Sequence, residues 1–163
     1  MTEEAPLSRP LAGLSEYQAA LDAVIEQARH ALCLFDYDMH EGGWNSPQRY
    51  EHLKRFVLGN PRNQLRIVLY STDHVRRHCP RLLNFQRQYS YAVAIHETNP
   101  EARSIHDPML IADGRHYVHR FHFEQPRGEQ VLHDPERTHR LMLRFEEIWH
   151  ASTVAVTATT LGL

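Results

Sequence analysis

Lysine is all but missing from this 163-residue chain: of eighteen Lys and Arg, Lys54 is the only lysine and the other seventeen are arginines. Arginine suits bidentate contacts with carboxylate or phosphate, although base composition of the coding genome produces the same bias. Charge of one sign is also lacking, since the formal net charge is -2 and the pI about 6.7. That balance gives no support for broad nucleic-acid binding, and it leaves room for a local basic patch. Only Cys33 and Cys79 supply thiols, so a disulfide-stapled fold or a four-thiolate zinc fold is not expected. No eighteen apolar residues run together, and the start, "MTEEAPLSRPLAG", is acidic and has no apolar signal core. A soluble, cytoplasmic protein without membrane contact is the expectation.

What is present has the size of one domain. Residues 1–13 read as a flexible leader. Ser15 and Gln18 form a capping-box pattern ahead of Tyr17, Leu21, Val24 and Ala28 at helical spacing. "ALCLFDYD" (31–38) has strand composition, and a Gly-rich turn leads to Ser46 and Pro47 as cap and first-turn proline of a second helix. "QLRIVLY" (64–70) reads as a central strand, 73–90 as a loop and then a helix, and "YAVAIHE" (91–97) as another strand. Two further strands flank Asp113-Gly114, a strong hairpin signal, and a polar segment follows. Asp134 and Pro135 then open a last helix whose apolar face is Leu141, Phe145, Ile148 and Trp149. Alternation of strands with crossover-length helices predicts a mixed α/β sheet covered on both faces. The domain spans 14–150, and 151–163 reads as a weakly structured, uncharged tail.

The residues able to do chemistry gather in "RSIHDPMLIADGRHYVHR" (103–120). His106 lies at the mouth of a strand read as 105–112, and Asp113 lies seven positions on, in its turn. A histidine at a sheet edge attacks phosphorus or carries a proton readily, with an ordinary pKa near 6.5. Arg103 and Arg120 are candidate phosphate clamps. His116, His119 and His122 do not converge on a strand, where the middle one faces away, so no metal site is expected. Asp36 and Asp38 share a face at the end of the first strand, beside a loop carrying Trp44. Loops at the carboxyl ends of sheet strands commonly form ligand crevices. There Trp44 is a candidate stacking surface and Asp36 a candidate for orienting the His106 ring. The alternative is that Trp44 packs over the sheet edge while the acids cap the turn.

"IHDPMLIADGR" resembles the signature of the phospholipase D-like superfamily, in which His, any residue, Lys, four residues and Asp are followed by Gly-Ser and later by Asn. His106 and Asp113 match the motif histidine and aspartate. Pro108 stands at the lysine position, Arg120 and Phe121 at the Gly-Ser pair, and Glu124 at the asparagine. The helix-strand opening, the "QLRIVLY" strand and the closing "LMLRFEEIW" are similar to that fold as well, over about residues 15–150. The chain is also similar to an uncharacterised bacterial family, a degenerate single-copy member of the superfamily.

The resemblance implies a phospholipase D-like single domain. In that superfamily two motif histidines face each other, one attacking phosphorus and the other protonating the leaving oxygen, and single-motif chains bring them together by dimerising. A homodimer without a cofactor is therefore implied. Proline supplies no cation where the motif has lysine, and loss of such a clamp costs on the order of 10²-fold or more. The favoured reading is a non-catalytic domain that binds an anionic or phosphate-ester small molecule around His106, Arg103, Arg120 and Trp44. Two alternatives stand beside it: a divergent phosphodiesterase using His106 and Asp113, and a structural or protein-interaction module.

Overall fold

Strand β2 (Ala31–Asp36) is apolar on both sides: Leu32 and Leu34 enter one buried cluster, Cys33 and Phe35 another. The same division holds in β3 (Gln64–Leu69), where Leu65, Ile67 and Leu69 face one way and Val68 the other. Strands of this kind need helices on both faces of their sheet. The computed structural model, which describes residues 4–156, supplies them. On one face lie α1 (Leu14–Gln27), α2 (Pro47–Leu58), α3 (Asp73–His78) and α4 (Pro80–Gln88). On the other lies α5 (Pro135–His150), which seats Phe145 and Ile148 in the second cluster with no exposure at all. Side chains of that size contribute about 1.5–3 kcal/mol each when fully buried.

The remaining strands are β1 (Leu7–Leu11), β4 (Val93–Thr98), β5 (Met109–Ala112), β6 (His116–His122), β7 (Gln125–Leu132) and β8 (Ser152–Val156). They join one eight-stranded sheet in the order β1-β7-β6-β5-β2-β3-β4-β8. The β2–β3–β4 pairings are parallel and the others antiparallel, so the expected mixed α/β architecture is the one observed. No helix among the described residues is long and apolar enough to cross a membrane.

Two expectations at the ends are corrected. The leader (1–13) contains β1, which pairs antiparallel with β7 from Leu7↔Leu132 to Leu11↔Gly128. Main-chain pairing at a sheet edge needs no apolar alternation, and only Leu11 of this strand is buried; Pro10 is tolerated there because an edge strand has a side without ladder bonds. In the tail (151–163), Ser152–Val156 forms β8 beside β4, in line with its β-branched content. Residues 157–163 lie outside the described residues.

Inside the chain, β7 occupies part of what reads as a polar segment, because Pro126 and Gly128 interrupt its pattern. Gly128 is required where it stands: a Cβ there would lie 2.1 Å from the His119 carbonyl oxygen across the β6–β7 ladder. Segment 73–90 forms two helices rather than one, divided at Cys79 with Pro80 at the first position of α4. Helix α1 begins at Leu14 behind Gly13, not behind Ser15, and Glu16 accepts a hydrogen bond from the Ala12 N–H at 3.0 Å. Ser46 and Asp134 cap α2 and α5 as expected, accepting from Arg49 N at 3.1 Å and Arg137 N at 2.9 Å.

Candidate functional site

Parallel neighbours β2 and β3 end side by side, and the chain turns away at Tyr37 and Tyr70. Tyr70 N–H donates to the Asp36 carbonyl and Ser71 N–H to that of Tyr37. The segment before β5 is drawn to the same end, as Phe123 N–H bonds the His106 carbonyl at 2.8 Å and Arg120 N–H that of Pro108 at 2.9 Å. The result is a cleft of about 720 Å³ at the carboxyl ends of the central strands, lined by Asp36, Tyr37, His40, Glu41, Tyr70, His106, Arg120, His122, Phe123 and Glu124. This is the crevice position that parallel strands create.

Its aromatic wall is continuous. Tyr37 and Tyr70 stack with centroids 5.0 Å apart, and Phe123 meets Tyr37 edge-on at 5.2 Å. Against Phe123 stands the His106 ring, and the His122 ring stacks on His106 at 5.6 Å with an interplanar angle of 27°. His106 precedes β5 in a loop rather than sitting in the strand, which begins only at Met109 because Pro108 offers no N–H to the ladder. The Arg103 guanidinium, exposed at the rim, lies 5.1 Å over the Tyr70 ring.

Arg120 is at the floor and only 2% exposed. Its Nε donates to the Gln125 carbonyl at 2.8 Å, Nη2 to that of Phe123 at 2.9 Å and Nη1 to Glu41 Oε2 at 2.6 Å. The guanidinium also lies 4.9 Å over the Tyr17 ring. Its charge is thus matched inside the protein. Asp36 is buried next to it, and burial pushes its carboxyl up to about 6, against the opposing pull of the Tyr37 N–H and Arg120. Asp38 turns to His40, bonding both its main-chain N–H and its Nδ1. Burial alone would lower the His40 pKa, but the Asp38 bond and the charges of Asp38, Glu41 and Asp36 raise it overall. Neither acid bonds the His106 ring, so the expected orientation of His106 by Asp36 is absent.

Two expected site residues lie elsewhere. Trp44 is 4% exposed in the core, with the Arg49 guanidinium 4.5 Å over its ring, so the packing alternative applies and the ring presents no stacking surface to the cleft. Asp113 is at the far end of β5, about 20 Å from His106 at ~3.3 Å per residue. There its carboxylate accepts the main-chain N–H groups of Arg29, His30 and Ala31 at 2.9, 2.7 and 2.9 Å. Asp113 and Gly114 both have positive φ, closing a type I′ turn through Arg115 N–H to the Ala112 carbonyl. The three histidines of β6 separate as expected: His116 accepts from His133 N–H, His119 bonds Asp107, and only His122 reaches the cleft. Sequence reasoning missed Tyr37, Tyr70 and Phe123 as wall residues. The usable signal for the two tyrosines was position, one residue past the ends of neighbouring parallel strands.

The same architecture occurs in solved structures. Nuc, a phospholipase D family member from Salmonella typhimurium, superposes with a TM-score of 0.65 at 12% identity, covering 94% of this chain and 100% of that one. NucT from Helicobacter pylori gives 0.64 at 12% identity, covering 93% and 100%. TrmBL2, an archaeal chromatin protein with a novel mode of DNA binding, gives 0.67 at 14% identity, covering 91% of this chain and 54% of that one. At such identities what is shared is the fold, and this chain has the phospholipase D-like one. No curated protein sequence matches the chain. Its sequence instead fits, from residue 13 to residue 160, the family described as Domain of unknown function (DUF7931), and the chain belongs to that family.

Proposed function

We propose that the chain is a non-hydrolytic, phospholipase D-like binding domain whose cleft takes a phosphate-bearing small molecule on His106, His122 and Arg103. The observation that carries this reading is the fate of the cations around a retained histidine. Pro108 replaces the motif lysine, and Arg120 is held by Glu41 and two carbonyls. Stabilising the charge of a phosphoryl transition state requires preorganised cations or donors, and removing one donor typically costs 10²–10³-fold in rate. Ground-state binding demands less. Two stacked imidazoles offer ring N–H donors to phosphoryl oxygens, and Arg103 adds a bidentate donor from the rim. The carboxylates of Asp36, Glu41 and Glu124 on the same cleft oppose a dianion, so binding strengthens as Asp36 takes up its proton near pH 6.

The test is a titration with phenyl phosphate, followed through the histidine ring resonances, beside an assay with bis(p-nitrophenyl) phosphate. Saturable binding that weakens about tenfold in His106→Ala and in His122→Ala, with no turnover above the blank, supports the reading. Absence of binding at pH 6 sinks it. A second reading, a divergent phosphodiesterase, draws on the facing of His106 and His122 within one chain, which places a nucleophile beside a proton donor. It requires turnover that disappears in His106→Ala.

A further inference from the structure

Most bonded imidazoles in this chain are tied to a neighbour: His96 to Ser152, His116 to His133, His119 to Asp107, His133 to Glu4 and His150 to Glu146. His74 and His78 are among the rings without such a bond, and they are paired. Helix α3 sets them four residues apart on one face, with ring centroids 5.1 Å apart, and neither ring has a hydrogen-bond partner among the described residues. His40, from the cleft wall, brings a third ring to 6.1 Å from that of His74. An imidazole nitrogen lies roughly 1.1 Å from its ring centre and binds zinc at about 2.1 Å, so two rings on a tetrahedral ion have centroids about 5.2 Å apart, and only a linear arrangement reaches about 6.4 Å. The His74–His78 separation matches the tetrahedral value, and His40 stands beyond it.

We propose that His74 and His78 chelate a divalent transition-metal ion at the mouth of the cleft, with His40 as the third imidazole. As the side chains stand, no three ligating groups among the described residues converge on one point. The chelate is therefore two-coordinate from the protein with water completing the shell, and His40 joins by rotation of a side chain that is 51% exposed. Asp38 prepares His40 for that role. Its carboxylate bonds Nδ1, the arrangement by which outer carboxylates fix the tautomer of ligating histidines, so Nε2 is the nitrogen left for an ion once the side chain has moved. Glu41 Oε1, 3.4 Å from that Nε2, adds negative charge. An imidazole set without thiolate favours Cu²⁺ over Ni²⁺ and Zn²⁺. His74 and His78 are outside the cleft lining, so the chelate does not rest on the phosphate reading of the cleft.

The experiment is calorimetric titration of the untagged, chelator-treated chain with CuCl₂, NiCl₂ and ZnCl₂, with electron paramagnetic resonance of the copper form to count nitrogen ligands. One ion per chain, bound through two or three imidazole nitrogens, is expected. His74→Ala and His78→Ala should each abolish that site, and His40→Ala or Asp38→Asn should weaken it about 10–100-fold. The partly exposed positions make folding of these variants easy to confirm by circular dichroism. His106→Ala/His122→Ala should bind copper like the parent. Undiminished binding in His74→Ala/His78→Ala, loss of binding in His106→Ala/His122→Ala, or no uptake by the parent at 100 µM metal on the order of a typical chelate's range would each overturn the assignment.

Discussion

Arg120 and Glu41 are joined by a 2.6 Å ion pair at the floor of the cleft, where an exposed cation would have been the obvious anion anchor. With its side chain 3% exposed and its other donors on carbonyls of the β6–β7 turn, Arg120 holds that hairpin against the loop after β2 and against α1. Arg120→Ala leaves two carbonyls and a partly buried carboxylate without their donor. Breaking a buried pair from one side costs about 3–5 kcal/mol, and the 28% exposure of Glu41 reduces that to about 2–4. Urea denaturation at pH 7 measures it. A loss below about 1 kcal/mol would mean the pair is not structural.

Removing the acid rather than the cation has the opposite consequence for ligands. Glu41→Gln keeps a hydrogen-bond acceptor for Arg120 and deletes one negative charge from the cleft. Phenyl phosphate affinity should rise by about fivefold, corresponding to roughly 1 kcal/mol in this part-exposed setting. Isothermal titration of parent and variant at low salt decides it, and unchanged or weaker binding would place the phosphate away from Glu41.

Asp113 is the candidate catalytic residue whose role is most open to separation from the site. Its three N–H partners fix the start of β2 and the end of α1, so Asp113→Ala should cost about 3 kcal/mol, with Asp113→Asn losing less. Ligand affinity of the folded fraction should not change, because the cleft is at the other end of β5. A selective loss of phosphate binding with stability intact would contradict this.

The legible parts of this fold were those in which burial dictates pattern. β2 and β3 show in the sequence because both their faces are covered, and α5 because Leu141, Phe145 and Ile148 return at helical spacing. β1 and β7 were hidden because they are held by main-chain bonds at and near an edge, where Pro10, Pro126 and Gly128 are allowed. For the site, His106 and Asp36 could be read from strand ends, and the structure brings both to the cleft. What no local pattern carries is partnership across the chain: Arg120 and Glu41 are 79 residues apart, and their pairing turns a candidate clamp into a fastener. Trp44 illustrates the same limit, since its neighbours are common to a stacking platform and a core residue until Arg49 is seen over its ring.

Acid should act on two buried groups in opposite senses. Burial, then the neighbouring His133, pushes His116 down to about 4, and its Nδ1 accepts the His133 N–H, which protonation would break. The unfolded chain takes up that proton near 6.5. Between about 6.5 and 4 the unfolded state therefore binds more protons at this site, and the stability it gives is lost as pH falls. Asp36 runs the other way: its folded pKa of about 6 exceeds the unfolded value near 3.9, so the folded state holds the extra proton and stability is gained as pH falls through 6 toward 4. Each effect is bounded by about 1.4 kcal/mol per pH unit across its window. Asp36→Asn, which keeps an acceptor for the Tyr37 N–H, removes the compensating gain and should lose stability more steeply than the parent from pH 6 to 4. His116→Asn should lose it less steeply. Urea midpoints measured at half-unit steps separate the three curves. A flatter profile in Asp36→Asn would show that Asp36 is already ionised in the folded protein at pH 5, and that the cleft meets its ligand with that charge in place.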